Sequence, residues 1–415
     1  QVLILVCTTF IYSQQLTGSV TAYLGNLVDE IPGNSGNHYR EPSSEEMDLW
    51  GEALQLFLDG DLETARQRVD ALNYQIVKFL DTTGMQGSPC FIFREKDPRT
   101  NYWGTYAFNE KALREELVLQ APHPLFDTNT GKQAIHCFTG SSAGALFLSG
   151  THRCNHSLYS PCDGTTTVCE GTSAPYRISD MAHNVQSIFQ KSTEVLCLHN
   201  ENSVFVQLHG FAKKTDDPYV IMSNGTRITP DHDPLSRIRE QLTVIDPVLT
   251  FKVAHIDLSW SRLIAFSNTQ GRFINGSPDP CYQDATISAG RFVHIEQERT
   301  RLRQDESGWE KMLFALSNAF EADTTGTPTG NSVSRIQFSV YPNPTTGLIH
   351  IITGQPVTLD LYSFNGVRLR RYDHINSGSV IDLGTLPAGI YLISATTPTS
   401  FSFRKIVVAG DCKLY

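Results

Sequence analysis

Nowhere in this sequence do lysine and arginine gather into a run, and charged residues make up only 18% of it. Its 33 basic side chains are outnumbered by 43 acidic ones, for a net charge of −10. An acidic chain without a basic stripe argues against nucleic acid as its main partner and is repelled by anionic lipid. Long apolar runs are missing as well: the candidate at residues 1–11 is too short to cross a bilayer. There is no internal repeat, no P-loop, no dinucleotide-binding glycine fingerprint and no His-Glu-x-x-His. Repeat architectures and the sites those motifs build are therefore set aside. What is present is ample apolar material, 40% of 415 residues. That is enough for two or three domains, each with a core that needs no disulfide or metal to fold.

The apolar stretch at residues 1–11 is followed by Tyr12-Ser13-Gln14-Gln15, a small residue before polar ones. This pattern predicts the remnant of a secretory signal peptide, residues 1–13, cleaved near Ser13. Nine cysteines suit an exported protein. Cys7 leaves with the signal, Cys412 lies in the tail, and seven remain in the body. Cys162 and Cys169 bracket a Gly/Thr-rich loop and are the expected disulfide. The competing possibility is a zinc knuckle of Cys154, Cys162 and Cys169 with His152 or His156.

Residues 14–89 read as a loop to about Glu41 and then a helical hairpin. Ser43-Ser44-Glu45-Glu46 starts the first helix and Gly60 ends it. Asp61 caps a second helix expected to run through Val69, Ile76 and Leu80. From residue 90 to 320 the texture is α/β. Strands are expected at Phe91–Phe93, Gly104–Phe108, Glu116–Gln120, Ala145–Ser149, Val204–Leu208, Tyr219–Met222, Phe251–Ile256, Leu263–Phe266 and Arg291–Ile295. Helices are expected at Lys132–Phe138, Asp180–Leu198, Pro234–Ile245 and Trp309–Phe320. Short apolar strands alternating with amphipathic helices imply a mostly parallel sheet flanked by helices. Residues 321–335 are a polar linker, and residues 336–415 alternate like a small all-β sandwich, with Asn343-Pro344, Asn365-Gly366 and Pro387-Ala388-Gly389 as turns.

Ligands of an α/β sheet bind beyond the carboxyl ends of its strands. Two histidines fall there: His123, in Ala121-Pro-His-Pro-Leu-Phe-Asp127, and His209, in Val204-Phe-Val-Gln-Leu-His-Gly210. With Asp127 they form a His₂-carboxylate set, which suits one Zn²⁺ that keeps an open position. Glu296, in Arg291-Phe-Val-His-Ile-Glu-Gln-Glu298, is the expected general base for a zinc-bound water, with His294 on the same strand face. His183, near a helix start capped by Ser179 or Asp180, is the rival third ligand. Arg153 and Arg272, each after a strand, are the expected clamps for a substrate carboxylate, and Asn268 the hydrogen-bond partner of an amide. Gly140-Ser-Ser-Ala-Gly144 lacks the strand–turn–helix setting of a serine nucleophile.

Two resemblances follow from these residues. Phe338-Ser-Val-Tyr-Pro-Asn-Pro-Thr-Thr-Gly347, Leu359-Asp-Leu-Tyr-Ser-Phe-Asn-Gly366, Asp382-Leu-Gly-Thr-Leu-Pro-Ala-Gly-Ile-Tyr-Leu392 and Lys405-Ile-Val-Val408 resemble, in order and spacing, the type IX secretion system C-terminal sorting domain. That resemblance implies the type IX export machinery of a Bacteroidota-type, Gram-negative bacterium as partner. It also implies removal of the domain, and release or attachment at the outer cell surface. The tail Ala409–Tyr415 departs from the pattern. The body resembles zinc-dependent carboxypeptidases and amidohydrolases with a phosphorylase/hydrolase-like fold, N-formylglutamate amidohydrolases and poly-γ-glutamate hydrolases among them. By that resemblance His123, Asp127 and His209 are ligands and Glu296 the base. The carboxypeptidases use His-x-x-Glu, whereas the acid here is Asp at +4. The expected function is a secreted zinc hydrolase of amide or peptide bonds in a small molecule or peptide. The alternatives are a metal-free surface binding protein on the same scaffold and a metal-independent hydrolase.

Overall fold

The computed structural model describes residues 15–322, apart from 84, 86 and 87, and residues 338–409, apart from 354, 364–367, 398 and 399. The expected signal segment, almost all of the linker, the Asn365-Gly366 turn and Cys412 lie outside the described residues. The chain divides into two compact units, Gln1–Asp323 and Thr324–Tyr415.

The first unit begins with β1 (Gln15–Gly18), α1 (Val20–Asp29), α2 (Ser44–Leu58), α3 (Leu62–Asp70), β2 (Tyr74–Asp81), β3 (Pro89–Glu95), β4 (Thr105–Asn109), β5 (Arg114–Ala121), α4 (Thr130–Ser141) and β6 (Ala143–Leu148). The short strands β7 (Thr165–Thr166) and β8 (Ala174–Pro175) follow, then α5 (Ile188–His199), β9 (Val204–Phe211), β10 (Val220–Ser223), α6 (Pro234–Ile245), β11 (Phe251–Val253), α7 (Thr269–Ile274), β12 (Phe292–Glu298), α8 (Arg299–Leu302) and α9 (Glu306–Ala319). Ten strands form one mixed sheet in the order β1-β2-β3-β4-β6-β5-β9-β12-β10-β11. Its centre, β6-β5-β9-β12, is parallel throughout.

Both faces are covered. Val206, Leu208, Val293 and Ile295 pack on one side with apolar residues of α1, α4, α6 and α9. Phe205, Phe292, Val118 and Phe147 pack on the other with residues of α2, α3 and α5. A centre buried on both sides explains why these strands read as nearly continuous apolar runs.

Several expectations need correction. The loop to Glu41 contains β1 and α1, whose buried Val20, Leu24, Leu27 and Val28 follow helical spacing. The expected second helix ends at Asp70, and its continuation is β2, paired antiparallel with β3. Ile76, Phe79 and Leu80 fit either period, and hydrogen bonding to a neighbouring strand decided for the sheet. Leu263–Phe266 is no strand: Leu263 and Ala265 have φ of 57°. The helix expected from Asp180 starts only at Ile188, where Ser187 caps it. Elsewhere the α2 start carries the full capping box, Ser43 with Glu46.

The second unit has β13 (Phe338–Tyr341), β14 (Leu348–Thr353), β15 (Val357–Ser363), β16 (Arg368–Ile375), β17 (Val380–Asp382), β18 (Gly389–Thr397) and β19 (Ser400–Val408). They make two antiparallel sheets, β13-β14-β17 and β16-β15-β18-β19, around one apolar core. Strand β16 is polar and mostly exposed, so it carries no apolar alternation.

Candidate metal centre

Four parallel strands deliver the site. His123 follows β5, His209 lies near the end of β9, Glu296 near the end of β12, and Arg153 follows β6. His209 and Glu296 are register partners, as are Gln207 and His294. These four side chains therefore share one face of the sheet. His123, His209, His294, Glu296, Arg153 and His183 all line a cavity of about 570 Å³.

His123 and His209, with Asp127 beside them, are all buried, and one ligand atom of each lies within 4.8 Å of the others. Asp127 Oδ2 is 3.3 Å from His123 Nδ1 and 3.2 Å from His209 Nδ1. Ligands about 2.0–2.1 Å from a tetrahedral zinc are about 3.3 Å apart, so both separations fit such a polyhedron.

The surroundings of the other nitrogens bear on whether a cation would fit there. His209 Nε2 lies 3.2 Å from Gln207 Oε1. Gln207 cannot turn its amide round, because its Nε2 donates to Gln120 Oε1 and Gln270 Oε1, and its Oε1 also accepts from Asn268 Nδ2. Burial, then the nearby His294, pulls the His209 pKa down to about 4, so the ring is neutral at pH 7. A neutral imidazole has one proton, yet both His209 nitrogens face oxygen acceptors. A cation at Nδ1 would resolve that clash.

His123 is similar. Its Nε2 is 2.8 Å from Asp180 Oδ1, whose other oxygen accepts from Arg153 Nε at 2.9 Å. Burial and Arg153 pull the His123 pKa down, but Asp180 and Asp127 outweigh them and leave it raised. Asp127 and Asp180 sit well below the ordinary carboxylate range: burial opposes this, and His123 for Asp127, or Arg153 for Asp180, overcomes it. A ligating histidine whose second nitrogen donates to a carboxylate is the usual support of a metal site.

The backbone is fixed too. Arg303 donates to the carbonyls of Asp127 and Thr128, and it passes Gly210, where a Cβ would fall 2.1 Å from its Cζ.

The remaining expected residues have other partners. His183 is not in the metal group: it stacks on Tyr176 with ring centroids 3.6 Å apart, and its Nδ1 lies 3.0 Å from Ser267 O. Burial takes its pKa down to about 3, so it is neutral. Arg272 is tied to Asp163, Asp284 and the carbonyls of Phe266 and Cys281. Asn268 donates to Gln207 and caps α7 through Gly271 N. Arg153 borders the cavity while bound to Asp180. Glu298 caps α8.

The expected Cys162–Cys169 bridge is not formed. The disulfides are Cys154–Cys169 and Cys162–Cys281, which also removes the zinc knuckle. Cys281 is too remote in sequence for spacing to suggest it. Asp180 and Gln207 were missed as supports; a polar residue alternating with histidine in a buried strand was the available sign for Gln207.

Residues 339–409 match the secretion system C-terminal sorting domain. This sorting domain marks the chain for export by the type IX system. Among the described residues no helix is long and apolar enough to cross a membrane. Among curated proteins, none matches the chain. The body has slight likeness to two solved structures. An N-formylglutamate amidohydrolase from Ralstonia eutropha is 12% identical, with a TM-score of 0.32 over 52% of this chain and 95% of its own. A carboxypeptidase A candidate from Shewanella denitrificans is 10% identical, with a TM-score of 0.28 over 61% of this chain and 65% of its own.

Proposed function

We propose that the body is a secreted or surface-held zinc-dependent hydrolase of amide or peptide bonds, carried out of a Gram-negative bacterium by its sorting domain. One observation carries the metal reading: neutral, buried His209 has an oxygen acceptor at each nitrogen. His123 Nδ1, Asp127 Oδ2 and His209 Nδ1 would hold one Zn²⁺. When bound, zinc supplies Lewis acidity that brings the pKa of its water to about 7.

The chain's own groups do the rest. Glu296 is buried at the cavity wall, and among the described residues its Oε2 has no hydrogen-bond partner. It accepts a proton from the attacking water as the carbonyl carbon gains the new C–O bond. It returns that proton to the leaving nitrogen as the C–N bond breaks. Asp180 and Gln207 hold the two histidines, and Arg153 holds Asp180. In this reading Arg272 and Asn268 shape the wall instead of clamping substrate, because the fold's own groups already engage them.

The test is metal content beside activity on a peptide and N-acyl amino acid panel. His123→Ala and His209→Ala should lose zinc and hydrolysis together. Glu296→Gln should keep zinc and lose hydrolysis by at least about 10²-fold. Stoichiometric zinc in both histidine variants would refute the site. A wild-type protein that takes up no zinc would favour the metal-free binding role.

A further inference from the structure

Among the described residues, His294 is a buried histidine with no hydrogen-bond partner at either nitrogen, although it lines the cavity. A buried polar group left unpaired costs free energy and calls for an explanation. Its neighbours on the two flanking strands are taken. Its register partner on β9, Gln207, has both amide ends committed. Its partner on β10, Ser223, donates to Ile264 O. Glu296, two residues on along the same face, has Oε1 at 3.4 Å from His294 Nε2, an ion pair only when the ring is protonated and not a hydrogen bond. The His209 ring lies 4.3 Å away, centroid to centroid, and offers no partner to it.

We propose that His294 is a substrate-contacting residue, its N–H donating to a carbonyl oxygen of an amide bound beside Glu296. The two unpaired groups are complementary: Glu296 Oε2 can only accept when ionised, while a neutral imidazole always has a proton to give. Together they make a receptor for a group carrying both an acceptor and a proton, as a peptide bond and its attacking water do. The identity of the amide as substrate rests on the hydrolase reading; the contact itself does not.

The test uses the full chain labelled with ¹⁵N-histidine and the probe N-acetylglycinamide, with and without zinc. The His294 ring signals should move when the probe is added. His294→Ala should raise the probe's Kd at least tenfold and keep the wild-type zinc content. His294→Asn, which retains an N–H donor, should recover part of the affinity, and His294→Leu should not. If the alanine variant does not fold, the asparagine–leucine pair decides. Equal Kd in wild type and His294→Leu would overturn the proposal. So would loss of zinc in folded His294→Ala, which would make the residue a ligand. Wild-type protein without zinc would end the zinc-hydrolase reading, while the metal-free titration would still judge His294.

Discussion

Asp180 meets His123 across 57 residues of chain, its Oδ1 2.8 Å from the ring Nε2. That contact commits the ring's proton outward and turns Nδ1 toward Asp127. Asp180→Asn keeps the shape and weakens the acceptor, so zinc affinity should fall by about 10–100-fold. Competition with a chelator measures it. Unchanged affinity would mean that Asp180 serves only to neutralise Arg153.

Gly210 gives Arg303 its path to the carbonyls of Asp127 and Thr128. Gly210→Ala forces the guanidinium aside. The expected cost is about 1–3 kcal/mol of stability, with weaker zinc binding because the Asp127 loop loses its anchor. Thermal unfolding and a zinc titration should move together; a wild-type melting temperature would refute this.

Cys162–Cys281 ties chain segments 119 residues apart, both next to the cavity wall that carries Asp163 and Asp284. Replacing the pair with serine should cost about 2–5 kcal/mol. Non-reducing peptide mapping should recover Cys154–Cys169 and Cys162–Cys281. A Cys162–Cys169 peptide would contradict the described pairing.

Asp246 accepts from Arg301 at 3.1 Å and from Lys311 at 2.8 Å. Burial raises its pKa, but these two cations outweigh burial and leave it below the ordinary value. A carboxylate with a depressed folded pKa stabilises fully above its unfolded pKa of about 4, and the benefit disappears as pH falls through the folded value. Asp246→Asn should therefore lower the melting temperature at pH 7, with the gap to wild type narrowing below pH 4. A gap independent of pH would point to lost packing instead.

Much of this was legible in the chain alone. The central strands are buried on both faces and so had to be continuous apolar runs, and their ends marked His123, His209 and Glu296. Asp127 was readable because it lies four residues from His123. The sorting domain was readable because its motifs are local turns and strands in fixed order. Only tertiary structure could decide the rest. Tyr74–Asp81 became a strand because β3 lay beside it to pair with. Arg272, at the cavity wall, is engaged by Asp163, 109 residues away. Cys162 found Cys281 rather than the nearer Cys169. Asp180 and Gln207 became supports of the histidines through contacts between separate elements. In each case local pattern fixes which face a side chain takes, but the partner that sets its chemistry arrives from a distant segment. That choice is made by packing, which no window of sequence contains.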